Sequence, residues 1–482
     1  TACHAVAGAQ QLMPRRMRGR QAVVASLLSL VPASVVAEDA PECPVRRPLP
    51  NMRYEEDWRF LSNRPCRTDP WDRVKYVPLG PDRYASLGGE ARLRYERFEN
   101  GGFGRDPDDR SGYVLQRYLV HGDLRLDRDL RVFAQVESSL ENGRKGGPRA
   151  NDENRLDVNQ GFVEWSPHRQ DRDIVTLRFG RQEVELGSSQ FTSARNGLND
   201  RQSFDGIRAF GEIRGWRFHG MATRVVPTVR GTFDDETHPD ETLSGVFLAR
   251  SHALLPGGNA VVYVSRRTDP TTRYQEGSLR EERITAGTRW WGRGEQWDYN
   301  YEIGMQRGDF GTGAIRAWYL STDTGWTLDG TGSPPRLGVR FNIGSGDRRA
   351  GDGTLGTFSP LFATTAYSGL SGLVGPSNGV ALAPSVTWTL DDTKTLTVGV
   401  INFWRQSLGD GIYNIFSEVQ RPPNGSQARH VGTQSTVTFV WQVTSHASWL
   451  TTLSYFSAGQ FLKESPPAEN VTYFTTWWAY RF

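Results

Sequence analysis

The chain is short of several things, and each shortage excludes something. It has 3 cysteines and 8 histidines in 482 residues. None of the histidines at 121, 168, 219, 238, 252, 430 and 446 shows the paired spacing of a metal site, so no metal and no cofactor is expected. Beyond residue 37 no run approaches the ~20 consecutive apolar residues of a membrane-spanning helix. Excess positive charge is also absent. The formal +3 includes Arg15, Arg16, Arg18 and Arg20 of an acid-free leader; without those four, 53 basic residues face 54 acidic ones, a net of −1. Nothing in that balance asks for nucleic acid.

The leader reads as a secretory signal. A basic stretch, Arg15–Arg20, precedes the apolar run Ala22–Val31, and Val35-Val36-Ala37 supplies small residues for cleavage before Glu38. Met13 is the expected start, with Met17 the other choice. Removing residues 1–37 takes Cys3 with it. Cys43 and Cys66 remain, an even pair in an oxidising compartment, and a disulfide between them would contribute roughly 3 kcal/mol. Residues 38–83 are expected to form a periplasmic N-terminal segment, and 84–482 the main domain.

What is abundant is alternation. Glycine numbers 52 and aromatics make up 11%, yet mean hydropathy is −0.55. The last residues, Val471–Phe482, alternate strictly: Phe482, Tyr480, Trp478, Thr476 and Phe474 on one face, Arg481, Ala479, Trp477, Thr475 and Tyr473 on the other. That is the period of a β-strand, and the first face suits a lipid–water interface. A terminal strand ending in Phe resembles the signal by which outer-membrane barrels are recognised for insertion. Eighteen such strands can be placed, near 84–98, 112–127, 130–141, 155–166, 173–186, 203–213, 215–226, 243–254, 259–267, 280–293, 296–308, 314–328, 335–345, 381–391, 394–406, 430–443, 447–459 and 470–482. The faces separate charge from apolar bulk. Glu90, Arg92, Arg94 and Glu96 oppose Gly89, Ala91, Leu93 and Tyr95. Arg117, His121, Asp123 and Arg125 oppose Tyr118, Val120 and Leu124. Arg336, Arg340 and Asn342 oppose Leu337, Val339, Phe341 and Ile343. Charges inside a soluble sandwich are prohibitive; charges lining a wet lumen are ordinary.

Connections sort by parity. Short turns such as Asp127-Arg128-Asp129, Ile213-Arg214-Gly215, Asp391-Asp392-Thr393 and Thr444-Ser445-His446 follow even-numbered strands. Long polar ones such as Glu99–Ser111, Asn142–Asn154, Gly187–Gln202 and Pro227–Thr242 follow odd-numbered strands. The expectation is an all-β, 18-stranded antiparallel transmembrane β-barrel with short periplasmic turns, long extracellular loops and both termini in the periplasm, in the outer membrane of a Gram-negative bacterium. The apolar parity of the fifth strand changes at Gly180, which predicts a β-bulge that turns Arg178, Arg181 and Glu183 to the lumen. The connection Asp347–Val380 carries Phe358, Phe362 and Tyr367 among other large apolar groups, too many for an exposed loop. It is expected to fold inward as a constriction, with Gln406–Arg429 a second lid. Asp106–Asp109 and Asp347–Asp352 read as solvated charge. No enzyme is expected; His238, beside Asp240, is the one candidate worth weighing.

Several segments resemble the alginate-export family of outer-membrane proteins: Tyr113–Leu119, Phe162-Val163-Glu164-Trp165, Leu177-Arg178-Phe179-Gly180-Arg181-Gln182-Glu183, Ser203-Phe204-Asp205-Gly206, Gly356–Phe362, Phe403-Trp404-Arg405 and Tyr480-Arg481-Phe482. The resemblance implies a monomeric 18-stranded channel whose lumenal arginines, here including Arg405, draw an anionic saccharide or polysaccharide. Two features depart from that pattern. Glu183 stands where the exporter is basic, and Thr444–Ser448 leaves no room for its periplasmic plug. Passive passage of a hydrophilic, anionic saccharide or polysaccharide is nevertheless the first expectation. A porin for small organic solutes is the second, and a structural or adhesion barrel the third. Expected partners are outer-membrane lipid and lipopolysaccharide, the barrel-assembly machinery through the Phe482 strand, and the solute itself.

Overall fold

The computed structural model describes residues 43–44, 48–170, 172–188, 192–252, 254–330, 332–362 and 369–482. The signal segment and Tyr367 lie outside the described residues.

Twenty strand segments hydrogen-bond into one sheet. Setting aside the short pieces Val77–Gly80 and Thr354–Leu355 leaves eighteen barrel strands, which we number β1 Arg83–Glu99, β2 Tyr113–Arg125, β3 Leu130–Asn142, β4 Asn154–Gln170, β5 Asp173–Glu183, β6 Ser203–Ile213, β7 Trp216–Val226, β8 Thr242–Ser251, β9 Asn259–Tyr274, β10 Gly277–Arg293, β11 Trp297–Phe310, β12 Gly313–Thr327, β13 Arg336–Gly344, β14 Gly379–Asp391, β15 Lys394–Arg405, β16 His430–Gln442, β17 Ala447–Ala458 and β18 Val471–Arg481. Each pairs antiparallel with its neighbours in sequence. β18 closes the ring on β1 in a register running from Glu90 opposite Arg481 to Glu99 opposite Thr472. Closure leaves the barrel no free edge, the condition for crossing a bilayer with strands.

The alternation has its expected consequence. Leu93, Val120, Phe179, Ile207, Val264, Met305, Val339 and Leu453 are exposed on the outer surface. Arg92, Arg117, Arg178, Arg283 and Arg340 are buried on the inner one. Arginine in place of Val339 should cost about 2 kcal/mol or more in lipid, and reversible unfolding from vesicles measures it.

The predicted bulge at Gly180 is not there. β5 pairs with β6 without a register shift from Ile174 to Glu183; the irregularity lies in β4, between Trp165 and His168. Gly180 takes φ +124° instead, and a Cβ there would meet the Gly161 carbonyl oxygen at 2.2 Å. Glycine freedom does what an inserted residue was expected to do. Across that glycine Arg181 is part-buried, unlike the exposed Phe179. It pairs with Asp205 at 3.0 Å and Asp157 at 3.6 Å, not with the lumenal Arg178 group.

Loop parity holds with two exceptions. β9–β10 and β11–β12 are long hairpins whose strands run to within two residues of each other, through 268–279 and 309–313 where connections were expected. The N-terminal segment adds the Val77–Gly80 strand to β1 and lays short helical turns over the short-turn end. Cys43 and Cys66 form a disulfide, Cα–Cα 5.5 Å. Trp71 stacks on Phe482 at 4.3 Å, and its indole N–H donates to the Tyr480 hydroxyl at 2.8 Å. The aromatic face expected at the lipid–water interface is therefore also a docking surface within the chain; Trp478 stays exposed.

Candidate functional site in the barrel lumen

Among the described residues, three segments fill the interior. The first is 345–362 with 369–378, as its apolar content predicted: Phe358 packs on Tyr319 with ring centroids 4.9 Å apart, and Phe362 on Phe204 at 5.0 Å. The second is 184–188 with 192–202, which the sequence placed among the external loops. It turns inward after Glu183 and crosses to the far wall, where Ser188 donates to Glu302 of β11 at 2.5 Å. A bridge between Thr192 and Phe362 joins the two inserted segments. The third is the stretch 51–58 of the N-terminal segment.

The arginines predicted to line an open pore hold these insertions. Asn196 offers its carbonyl oxygen to Arg92 at 2.8 Å and to Arg117 at 3.2 Å. Gly197 offers its own to Arg94 at 2.6 Å, and Leu198 its own to Arg117 at 3.2 Å and to Arg92. Arg117 also pairs with Glu90 at 2.5 Å, and Arg94 with Glu96. Arg125 reaches Asp123 at 3.2 Å and the Glu56 carbonyl at 3.3 Å. Arg405, wholly buried, donates to the Ala428 and Ser426 carbonyls at 2.6 and 2.8 Å and so ties down 406–429; it does not face a channel. Glu183 is likewise internal, paired with Arg201 at 2.5 Å. Arg340 is buried on the inner face of β13.

Arg178 is different. It pairs with Glu164 at 2.5 Å, and its guanidinium lies between the rings of Tyr54 and Phe162, 4.1 and 4.0 Å from their centroids. Its Nη1 is buried with no hydrogen-bond partner. It lines a cavity of about 380 Å³ at the short-turn end, with Tyr54, Arg131, Glu164, Arg208 and Phe210. Beyond the inserted loop a second cavity of about 150 Å³ opens at the long-loop end, lined by Arg94, Glu96, Arg149, Leu198 and Leu370. Charge at the lower cavity is close to balanced. Burial, helped by repulsion from Glu185, raises the Glu55 carboxyl above its ordinary range.

The arginines at 131, 201 and 208 were missed. Arg131 and Arg208 stand on inner parity positions, so the alternation alone could have found them. Arg201 belongs to the inserted loop, whose direction no local signal announced. His238 is a loop cap: its Nδ1 accepts the backbone N–H of Asp240 and Glu241 at 3.1 and 2.9 Å.

A family model for alginate export matches residues 83–475. The chain belongs to the alginate-export family. As a member it is an outer-membrane channel-type barrel, and its fold recurs in solved porins. OccAB1 of Acinetobacter baumannii superposes with a TM-score of 0.56 at 11% identity over 85% of this chain and 99% of that one. OccK5 (OpdH) of Pseudomonas aeruginosa gives 0.53 at 11%, over 83% and 98%. OccK2 (OpdF) of the same organism, solved in complex with glucuronate, gives 0.53 at 10%, over 83% and 96%. At these identities the likeness concerns the fold. No curated protein matches the chain in sequence.

Proposed function

We propose that this barrel lets small hydrophilic anions, carboxylated saccharides first among them, pass the outer membrane down their gradient, with both termini in the periplasm. The observation that carries the reading is Arg178, which lines the 380 Å³ cavity and keeps one buried nitrogen without a hydrogen-bond partner. A fixed cation in a low-dielectric wall attracts anions more strongly than it would in water. An aromatic ring beside it, Phe210 or Tyr54, offers a face to a sugar. The cavity is at the lower end of the ~300–1,000 Å³ range of small-ligand sites. That size favours single sugars or small organic acids over a polymer while 184–202 is inserted; export of a polysaccharide would require that loop to withdraw. The glucuronate seen in OccK2 is of the favoured chemical class. Insertion through the β18 strand by the assembly machinery, a monomeric state and the absence of catalysis complete the proposal.

Planar-bilayer recording tests it. Anion preference is expected, with glucuronate blocking current at a saturable site. Arg178→Gln should weaken that block by roughly tenfold, the loss of one charge-assisted hydrogen bond of about 1.5 kcal/mol or more. Cation preference, or block unchanged in the variant, overturns the proposal.

A further inference from the structure

Two arginines face outward side by side near the long-loop end. Arg307 of β11 and Arg316 of β12 are directly opposite in the strand register, and both are exposed. They share the outward parity of Met305 and Trp318. Opposite side chains on one face of an antiparallel pair have Cβ atoms about 4.5–5.5 Å apart, and like charges placed so repel. Among the described residues neither arginine is in ion-pairing range of a carboxylate, although Asp309 is exposed two positions along β11. Arg307 donates to the Gln306 carbonyl at 3.1 Å. Arg266 of β9, two strands away in the same row, already takes Glu282 at 2.7 Å.

The height of this pair can be read from the strands. Arg307 stands ten residues from Trp297 on one face of β11, and Arg316 ten residues from Trp326 on one face of β12. Trp297 and Trp326 are themselves opposite in register, at the short-turn end. Ten residues span about 34 Å along a strand, or roughly 26 Å of membrane normal at a tilt of about 40°. That matches the ~25 Å apolar band of such barrels, with aromatic girdles at both edges. If the two tryptophans mark one interface, the two arginines stand at the other. Between them and the barrel's middle, Met305 is opposite Trp318 and Ile303 is opposite Leu320. Met305, Trp318 and Ile303 are 59, 38 and 43% exposed, an apolar strip running down from the cations.

We propose that this face binds one phosphorylated glycolipid of the outer leaflet, of the lipid A class. A phosphate would sit between Arg307 and Arg316, and acyl chains would lie along Met305, Trp318 and Ile303. The proposal rests on the orientation given above, with the long loops outward. Guanidinium forks match phosphate oxygens in geometry as well as charge, and one phosphate relieves the repulsion of both. A free phosphate ion would leave the apolar strip unused. Basic side chains at headgroup depth are the general means by which membrane proteins select anionic lipids. The two arginines meet because β11 and β12 form a tight hairpin, Phe310 opposite Gly313.

The test uses the whole chain refolded in detergent without lipopolysaccharide. Native mass spectrometry should show one bisphosphorylated lipid A bound saturably. Arg307→Gln with Arg316→Gln should weaken binding roughly tenfold or more. Arg97→Gln, which removes an exposed outward arginine of β1 opposite Phe474, should leave it intact. Should the glutamine pair not fold, as judged by heat-shifted gel mobility, Arg307→Lys with Arg316→Lys is measured instead. Charge is then kept but the fork is lost, and binding should still fall several-fold. Unchanged affinity in whichever pair is measured overturns the proposal. Equal binding of phosphatidylglycerol overturns it in favour of any anionic lipid, and displacement by inorganic phosphate alone in favour of a simple ion site. Orientation is read separately in intact cells, where Thr312→Cys at the β11–β12 turn should react with a membrane-impermeant maleimide. Reaction only after the outer membrane is broken overturns the orientation and this proposal together. Glucuronate block should be unchanged in the glutamine pair, so failure of the transport reading shows in bilayer recording and failure of this one in lipid binding.

Discussion

Replacing Arg92, Arg94 and Arg117 together with glutamine raises single-channel conductance; it does not simply erode anion preference. The reason is what the three guanidinium groups touch. Between them they donate to the carbonyls of Asn196, Gly197 and Leu198, the tip of the segment that crosses the lumen. A hydrogen bond from a charged donor contributes about 1.5–3 kcal/mol. Losing even 3 kcal/mol in total shifts the docked-to-released ratio of the loop by roughly a hundredfold. Glutamine keeps polarity and most of the length, but it cannot reach two carbonyls from one fork as Arg92 does. Glu90 keeps Arg481 at 2.7 Å as a counter-ion, so the inner wall does not acquire a bare carboxylate there. Bilayer recordings decide the matter. Larger unitary conductance with the barrel intact by heat-shifted gel mobility is the expected result. Unchanged or smaller conductance would mean that these arginines line an open path and the loop is held elsewhere.

This outcome also marks where the sequence stopped being legible. The barrel was readable because its determinant is local: alternate residues face alternate solvents, and Leu93 and Arg94 declare that in two adjacent letters. Closure of β18 on β1 followed from an even strand count and a C-terminal Phe. Arg92, Arg94, Arg117, Arg178 and Arg340 could be assigned to the inner face for the same local reason. What they bind there could not. The inward turn of 184–202 depends on carbonyls, which every residue has, meeting guanidinium groups about a hundred positions away. The 345–378 insertion was visible because its determinant is side-chain apolarity, Phe358 and Phe362 above all. Gly180 shows a subtler limit. The change of apolar parity was real, but a positive φ on glycine and an inserted residue leave the same trace in a sequence. The N-terminal segment was expected at the periplasmic mouth. Nothing in its composition showed that Arg53 would donate to the Phe482 carbonyl at 2.7 Å and to that of Gly89 at 2.6 Å.

Glu56→Gln is expected to free that segment. Glu56 is buried inside the short-turn end, where Arg53, Lys75 at 3.1 Å and the Trp58 indole N–H at 2.9 Å converge on it. Burial alone would raise its carboxyl, but Arg53, Lys75 and His121 outweigh that and hold it down at about 2. The Lys75 amine moves the other way in strength of hold. Burial lowers it to about 8 and Glu56 recovers only part of the loss, so Lys75 remains charged at neutral pH and depends on its partner. Glutamine preserves shape and the indole hydrogen bond, yet it strands two buried cations. Breaking a buried pair in this way costs about 3–5 kcal/mol, enough to undock 51–58 while the eighteen-strand ring stays closed. The pH sign follows from the depressed carboxyl. Its contribution is fully present above the ordinary value of 4.5 and is lost as pH falls from there towards 2. Limited proteolysis between residues 48 and 76 reads the undocking. The wild-type segment should stay protected at neutral pH and become cleavable as pH drops below about 4. The glutamine variant should be cleavable at pH 7 with little further change on acidification. Protection of the variant at pH 7, or acid sensitivity identical in both chains, would show that Arg53 and Trp71 hold the segment without the Glu56 cluster.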